Sequence, residues 1–529
     1  MTLSTRKQAI SDACGKQWDL LVVGGGISGA AIAREAALRG LKTLLVEQRD
    51  FAWGTSSRSG KWVHGGLRYM QQGQALVTYH STREREGLQR EVPGLVKPSS
   101  MFMTFFKGQW RAKSMLVLGL VVYDLMRGKL ARHRLTPGKI REIAPGIRDE
   151  GVTGGLIFQE AQTDDARLVM RVLEQAVKDG ASALNYCEVT GLIKEDGEVT
   201  GVVVHDTADD SAEPFEIRAR QVVNATGAWA DKLRQQVNRT RDEKVRPLRG
   251  SHLVFSAKRI PISEALVTFH PADKRPGFVT PWEGRVIVGN TDLDHAEDLD
   301  REASISPWEV DYLLTQVRHY FPGLDLQKSD IIATFSGIRP VIDSGKVDPS
   351  KESRDHMVFS EDGLISVTGG KLTTFRLIAD DVVNEAEHRL GSLPKAERKS
   401  VFDNAGDPPA GVDGPQAIRL HGRYGTDARL LVGQAQPGEL ETIGDTHTLW
   451  AELRWAAANE MVVHLDDLLL RRTRIGLLLE AGGAPYLDKI GTVCRPILGW
   501  NDDKWQQETD RYKALWHDYY SVPEADDAA

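Results

Sequence analysis

The chain has 529 residues, a net charge of −7 and a pI near 6.1. That length exceeds one compact core and calls for two or three domains. The acidic balance excludes a general nucleic-acid binder, which carries a strong basic excess. Apolar residues at 41% and charged residues at 27% place it among soluble globular proteins. Cys14, Cys187 and Cys494 lie far apart, too few for a disulfide scaffold or a Cys-ligated zinc or iron–sulfur centre, so no metal site is expected. The N-terminal residues lack the apolar core of a signal peptide, and no apolar run approaches the roughly 20 residues that cross a bilayer. The expected location is the cytoplasm, or the inner face of a membrane.

The first elements predicted are strand, glycine turn, helix and strand. Asp19–Val23 is a short β-forming apolar run, followed by Gly24-Gly-Gly-Ile-Ser-Gly29. Ala30–Arg39 is dense in helix formers and stops at Gly40, and Lys42–Glu47 reads as a second strand. This is the βαβ unit of dinucleotide binding: Gly24 permits the turn, Gly26 admits the pyrophosphate, and Gly29 lets the helix approach the sheet. The helix start beside Ser28 offers free N–H groups and a positive dipole to phosphate. Glu47, eighteen residues after Gly29, is placed to accept from a ribose diol and disfavours a 2′-phosphate. This fingerprint alone does not separate FAD from NAD.

Residues 102–134 combine basic, aromatic and apolar character. Met115–Met126, with Asp124 as its one charge, is bracketed by Lys107, Arg111, Lys113 and by Arg127, Lys129, Arg132, Arg134. Such a stretch fits either a membrane interface or a buried helix with solvated basic ends. Asn185–Ala219 reads as a β-rich excursion with a hairpin at Asp196-Gly197. Arg218–Trp229 is a strand ending in Ala225-Thr226-Gly227, and Gly363–Phe375 is a strand, a double glycine and a helix start. Pro408–Pro415 is linker-like, and the residues beyond it have mostly helical composition. There Trp455, Trp500, Trp505 and Trp516 are expected as core or interface fillers, and Arg471, Arg472 and Arg474 as a solvated or domain-docking face. A homodimer through this region is compatible with the sequence.

Ordered motifs then carry a family resemblance. They are Thr55-Ser-Ser-Arg-Ser-Gly-Lys-Trp-Val-His-Gly-Gly-Leu-Arg-Tyr69, Asp164–Leu168, Gly250-Ser-His252, Gly289-Asn-Thr-Asp292, Ser336-Gly-Ile-Arg-Pro340, Ser353-Arg-Asp-His356 and Gly369-Gly-Lys-Leu-Thr-Thr374. Together they resemble the FAD-dependent glycerol-3-phosphate dehydrogenases, although Gly60 stands where that pattern often has serine. The resemblance implies an α/β chain: a discontinuous FAD-binding Rossmann-type domain, an inserted β-rich substrate domain and a C-terminal helical domain. The expected boundaries are an N-terminal segment 1–17, FAD-binding parts 18–244 and 336–395, a substrate-binding domain 245–335 and a helical domain 396–529.

It further implies FAD contacts from Gly24, Gly26, Ser28, Gly29, Glu47, Thr55, Ser56, Ser57, Lys61, His64, Gly65, Gly66, Ala225, Thr226, Gly227, Gly370, Lys371, Leu372 and Thr373. Substrate would be held by Arg68, Tyr69, Arg339, Arg354 and Lys371, with the phosphate mainly on Arg68, Tyr69 and Arg354. Arginine suits that clamp because its planar fork grips phosphate with paired, charge-assisted hydrogen bonds. Arg339 and Lys371 would stabilise a developing alkoxide, and His64 and His252 are the candidate proton acceptors. The implied reaction is oxidation of sn-glycerol 3-phosphate, with electrons passed to a membrane quinone by a peripherally bound enzyme. An oxygen-using oxidase, an amine oxidase of the same fold and a non-catalytic flavin sensor are the alternatives.

Overall fold

The computed structural model describes residues 3–66, 75–108, 114, 117, 119–121, 132–209, 211–237, 243–345, 352, 355–395 and 400–524. Arg68, Tyr69 and Arg354 lie outside the described residues, as does most of 109–131.

The nucleotide unit forms where the glycine pattern requires. Strand β1 (Trp18–Val23) pairs in parallel with β2 (Thr43–Val46), and helix α1 (Ile27–Leu38) connects them. On its other side β1 pairs in parallel with β9 (Phe215–Asn224), the strand that ends in Ala225-Thr226-Gly227. Strand β17 (Leu364–Gly369) continues the sheet beside β9, β16 (His356–Glu361) closes it antiparallel, and β6 (Ser182–Leu184) extends the far edge beyond β2. A hairpin of β7 (Cys187–Glu195) and β8 (Glu198–Asp206) is attached to β9, turning at Asp196 and Gly197, both at positive φ. Helices α1, α2 (Asp165–Lys178) and α4 (Phe375–Leu390) pack together, with Ala30, Ile32, Ala36, Val169, Val172, Val382 and Val383 in one buried cluster.

The second sheet runs β14 (Leu293–Asp294), β10 (Val245–Ser256), β13 (Arg285–Gly289), β12 (Pro276–Trp282), β11 (Ala265–Phe269), β3 (Lys97–Phe106), β5 (Val152–Gln162), β4 (His133–Leu135), and β15 (Ile331–Ile342) pairs with β10. This sheet crosses the expected boundaries in two places. Strand β15 passes through 335/336 in continuous register against β10 from Ala333 to Ile342, so Ser336–Pro340 belongs to the second sheet. Strands β3 and β5, which were expected in the first FAD-binding part, join it through the parallel pairing of β3 with β11. The basic-apolar stretch is divided for the same reason: Phe102 and Phe105 are buried in β3, and Leu120 packs with Trp62, Met101, Phe105 and Phe158. Helix α3 (Pro307–Tyr320) covers the sheet and starts at a capping box between Ser306 and Glu309.

The C-terminal part is helical, including Gly414–Tyr424, Trp450–Asn459, Leu487–Leu498 and Asp502–Tyr520. Its docking face carries ions rather than solvent. Arg471, Arg472 and Arg474 are buried. Arg472 grips Asp50 through two bonds of 2.7 Å, and Arg471 bonds Asp50, Asp466 and Asp467. Arg474 reaches Asp165 at 3.1 Å and the Ser57 carbonyl, so the docking alternative holds for these arginines and the solvated one does not.

Candidate active site

A cavity of about 1140 Å³ runs from the glycine turn to the second sheet. It exceeds the roughly 300–1,000 Å³ that one small ligand needs, so cofactor and substrate can share it. Gly24, Gly26, Ser28, Glu47, Thr55, Ser56, Ala225, Thr226 and Gly227 line one part. His64, Gly66, Gly370, Lys371, Leu372 and Thr373 line another, and Gly250, His252, Asp292 and Arg339 a third.

The nucleotide end is shaped by what its glycines leave out. A Cβ on Gly24 would stand 2.6 Å from the Ala225 carbonyl oxygen, and Gly24 has φ +113°. A Cβ on Gly29 would lie 1.8 Å from the Gly24 carbonyl oxygen, so α1 packs directly on the turn. Ser56 Oγ accepts from the Ile27 N–H at 3.0 Å, and no side chain of Gly26 blocks the helix start. Glu47 accepts from Gly25 N at 2.6 Å and Arg49 N at 2.9 Å, while burial raises its carboxyl above the ordinary value. Open backbone approach, a helix dipole and a strand-end acid fit the pyrophosphate and ribose of a dinucleotide such as FAD.

Four expected cofactor residues do not line the cavity: Gly29, Ser57, Lys61 and Gly65. Gly29 acts through packing, as above. Ser57 Oγ turns back to the Trp53 carbonyl, and Gly65 donates to Glu160 Oε2 at 3.0 Å. Lys61 is fully buried, with Nζ 2.8 Å from Asp165 Oδ1 and 2.8 Å from the Ser57 carbonyl. Burial and then Arg474 push its ammonium down to about 8, against the pull of Asp165. The Lys61 side chain therefore ties the cavity floor to α2 instead of reaching into the cavity.

The end of the cavity that holds Arg339 and His252 is built on β10, β13 and β15. Arg339 sits opposite Leu248 in the β10–β15 ladder, and its guanidinium lies over Gly250, where a Cβ would be 2.2 Å from Nη2. Arg339 Nη1 donates to Asp292 Oδ1 at 2.7 Å. His252, opposite Phe335 and Gly289, stacks on the Phe335 ring at 4.5 Å and 9°, and a Cβ on Gly289 would strike its ring at 2.3 Å. Burial first, then Arg339 and Lys61, hold the imidazole well below its ordinary pKa, against a smaller upward pull from the Phe335 backbone. His252 is therefore a neutral ring at neutral pH, able to accept a proton. A Cβ on Gly60 would come to 3.6 Å from His252 Nε2, so serine there would place its hydroxyl beside the ring. Lys371 Nζ donates to Ser81 Oγ at 3.3 Å, and Thr373 Oγ1 donates to the His64 carbonyl at 3.3 Å, which joins the double-glycine segment to the loop carrying His64.

Some functional groups escaped the sequence reading. Asp292, which orients Arg339, was inside a quoted motif but had no assigned role. Glu160, which lines the cavity and pairs with Arg85 and Gly65 N, carried no local signal because its partners are 75 and 95 residues away.

Residues 19–376 match the family described as FAD dependent oxidoreductase, and residues 373–505 the family described as the C-terminal domain of alpha-glycerophosphate oxidase. The chain is 36% identical to the aerobic glycerol-3-phosphate dehydrogenase of Bacillus subtilis (strain 168), with 97% of each covered. It is 32% identical to that of Staphylococcus saprophyticus, with 95% of each covered. The glycerol-3-phosphate dehydrogenase of Bacillus halodurans, solved complexed with FAD, superposes with a TM-score of 0.78 at 29% identity, covering 97% of both chains. A glycine oxidase from Bacillus cereus, at TM-score 0.54, 18% identity and 72% of this chain, shares the fold alone. The expected fold class and cofactor are thereby borne out. With matches spanning both its FAD-binding and C-terminal parts, the chain belongs to the FAD-dependent oxidoreductases, among the aerobic glycerol-3-phosphate dehydrogenases.

Proposed function

We propose that the chain oxidises sn-glycerol 3-phosphate to dihydroxyacetone phosphate and delivers the electrons to a membrane quinone. The observation that carries this is one cavity joining the dinucleotide cradle to Arg339, Lys371 and a neutral His252. The reaction removes a hydride from C2 and a proton from its hydroxyl. Bound FAD supplies the hydride acceptor.

The chain's own groups supply position and charge. Arg339, fixed by Asp292, places its guanidinium where an alkoxide develops, and Lys371 adds a second positive charge. His252 receives the hydroxyl proton. Arg68, Tyr69 and Arg354 take the phosphate in this reading, which rests on the motif resemblance, and His64 lines the wall beside the double-glycine segment.

Anaerobic mixing of the purified holoenzyme with sn-glycerol 3-phosphate tests the reading. The visible flavin absorbance should bleach with that substrate and persist with glycerol or glycine. Bleaching by glycine, or none by any of the three, would remove the assignment.

Because His252 is depressed, the acid limb of kcat/KM should fall below the ordinary histidine value of ~6.5. Activity should then persist from neutral into mildly acid pH and be lost only as His252 protonates. A limb at or above ~6.5, or one unchanged in His252→Asn, would assign the proton to another group.

Attachment is peripheral in this reading. No helix of the described residues is long and apolar enough to cross a membrane. With Phe102, Phe105 and Leu120 packed inside, the attaching residues would come from the remainder of Lys107–Arg134, most of which lies outside the described residues. Co-sedimentation with anionic vesicles should be strong at low salt and weaken as salt rises. A protein left wholly in the supernatant at low salt would rule the attachment out.

A further inference from the structure

The cavity wall includes a surface aromatic ladder that the oxidation of the alcohol does not use. Trp308 and Tyr312, one turn apart on α3, stack with centroids 5.0 Å apart and planes at 28°. Tyr312 in turn lies on His270 at 3.8 Å and 6°. Trp308, Tyr312, Phe269 and Arg275 all line the cavity, and Trp308 is 57% exposed, so this wall is its rim. Trp308 joins none of the buried apolar clusters among the described residues, so core packing does not account for it.

Polar contacts hold this rim in place and tie it to the reacting end. Tyr312 Oη donates to both oxygens of Asp273 at 3.0 and 3.1 Å. Arg275 Nη1 donates to the Asp292 carbonyl at 3.0 Å, and the carboxylate of that same Asp292 accepts from Arg339. The Arg275 side chain is 40% exposed and its Nε lies 3.7 Å from Asp273 Oδ2, so its guanidinium meets the same carboxylate that holds Tyr312.

We propose that this rim is the docking site of the quinone, its ring stacked on Trp308 and a carbonyl oxygen accepting from Arg275. The inference rests on the quinone reading above and names its site. A flat ring with polar oxygens matches an aromatic face flanked by a guanidinium, whereas a small phosphorylated alcohol has no surface to stack. In the step itself the quinone takes two electrons and two protons from the two-electron-reduced enzyme and leaves as hydroquinone.

The test compares parent, Trp308→Ala, Trp308→Phe and Arg275→Gln holoenzymes. Each is reduced anaerobically, once with sn-glycerol 3-phosphate and once with dithionite, then mixed with ubiquinone-1 or with ferricyanide. Binding of ubiquinone-1 to the oxidised holoenzyme is titrated separately. Trp308→Ala should weaken ubiquinone-1 about five- to tenfold in both the titration and the reoxidation, with Trp308→Phe restoring most of it. Arg275→Gln should weaken it in the same direction. In the two Trp308 variants, bleaching by sn-glycerol 3-phosphate and reoxidation by ferricyanide should stay within about twofold of the parent. Unchanged ubiquinone-1 dependence would overturn the docking site. So would equal slowing of bleaching, which would make the rim a passage for the alcohol. Failure of the parent to bleach would count against the substrate assignment, while the dithionite arm would still decide the docking site.

Discussion

Arg339→Ala is expected to lower kcat/KM for sn-glycerol 3-phosphate by about 10²–10³-fold, the loss typical of removing one preorganised donor from a developing oxyanion. Bound FAD and thermal stability should change little, because Arg339 is part-exposed in the cavity and bonds Asp292 at its edge. Gly250→Ala gives a sharper version of the same prediction. The added Cβ would stand 2.2 Å from Arg339 Nη2 and 2.7 Å from Cζ, so the guanidinium must leave its place. Because the obstructed atoms are the far end of a flexible side chain, the ladder between β10 and β15 should survive. The expected result is a large fall in kcat/KM with an almost unchanged melting temperature. Arg339→Lys keeps the charge but loses the fork, and should fall between parent and alanine. A Gly250→Ala enzyme with parental kcat/KM would show that the guanidinium does not act from where it stands.

The parts of this site legible in the sequence are those whose constraint is local. Gly24 and Gly29 must be glycine because the chain touches itself within a few residues or across one adjacent strand. Constraints made by distant partners were not legible. Lys61 stands in a motif full of cavity residues, yet Asp165, 104 positions later, draws it into a buried pair. For Arg471 and Arg472 the local sequence leaves both a solvated and a docking face open, because their carboxylate Asp50 is more than 420 residues away. The same holds for β3, whose parallel pairing with β11 leaves no periodic trace that separates it from a strand of the first sheet.

Asp50 carries the largest stability prediction. It follows Glu47 by three residues, is fully buried, and binds Arg471 and Arg472 while accepting from Asn185 Nδ2 at 3.3 Å. Burial alone would raise its carboxyl, but Arg472 and Arg471 outweigh that and hold it below the ordinary value. Asp50→Ala removes a carboxylate and leaves two guanidiniums buried without it, a change that costs about 3–5 kcal/mol. The same bonds join the C-terminal part to the segment after β2 that carries Glu47, so FAD should dissociate faster from the variant. Urea unfolding of the holoenzyme, followed by circular dichroism and by released flavin, measures both effects. The pH dependence has a definite sign. A carboxyl depressed in the folded state contributes stability above its unfolded value of ~3.9 and loses it as pH falls through the lower folded value. The gap between parent and Asp50→Ala should therefore be full at neutral pH and narrow in strong acid. Asp50→Asn, which keeps the shape and removes the charge, should retain most of the destabilisation. If Asp50→Ala unfolded within ~1 kcal/mol of the parent and held FAD equally well, Asp50 would not be what fixes the C-terminal helices to the first sheet.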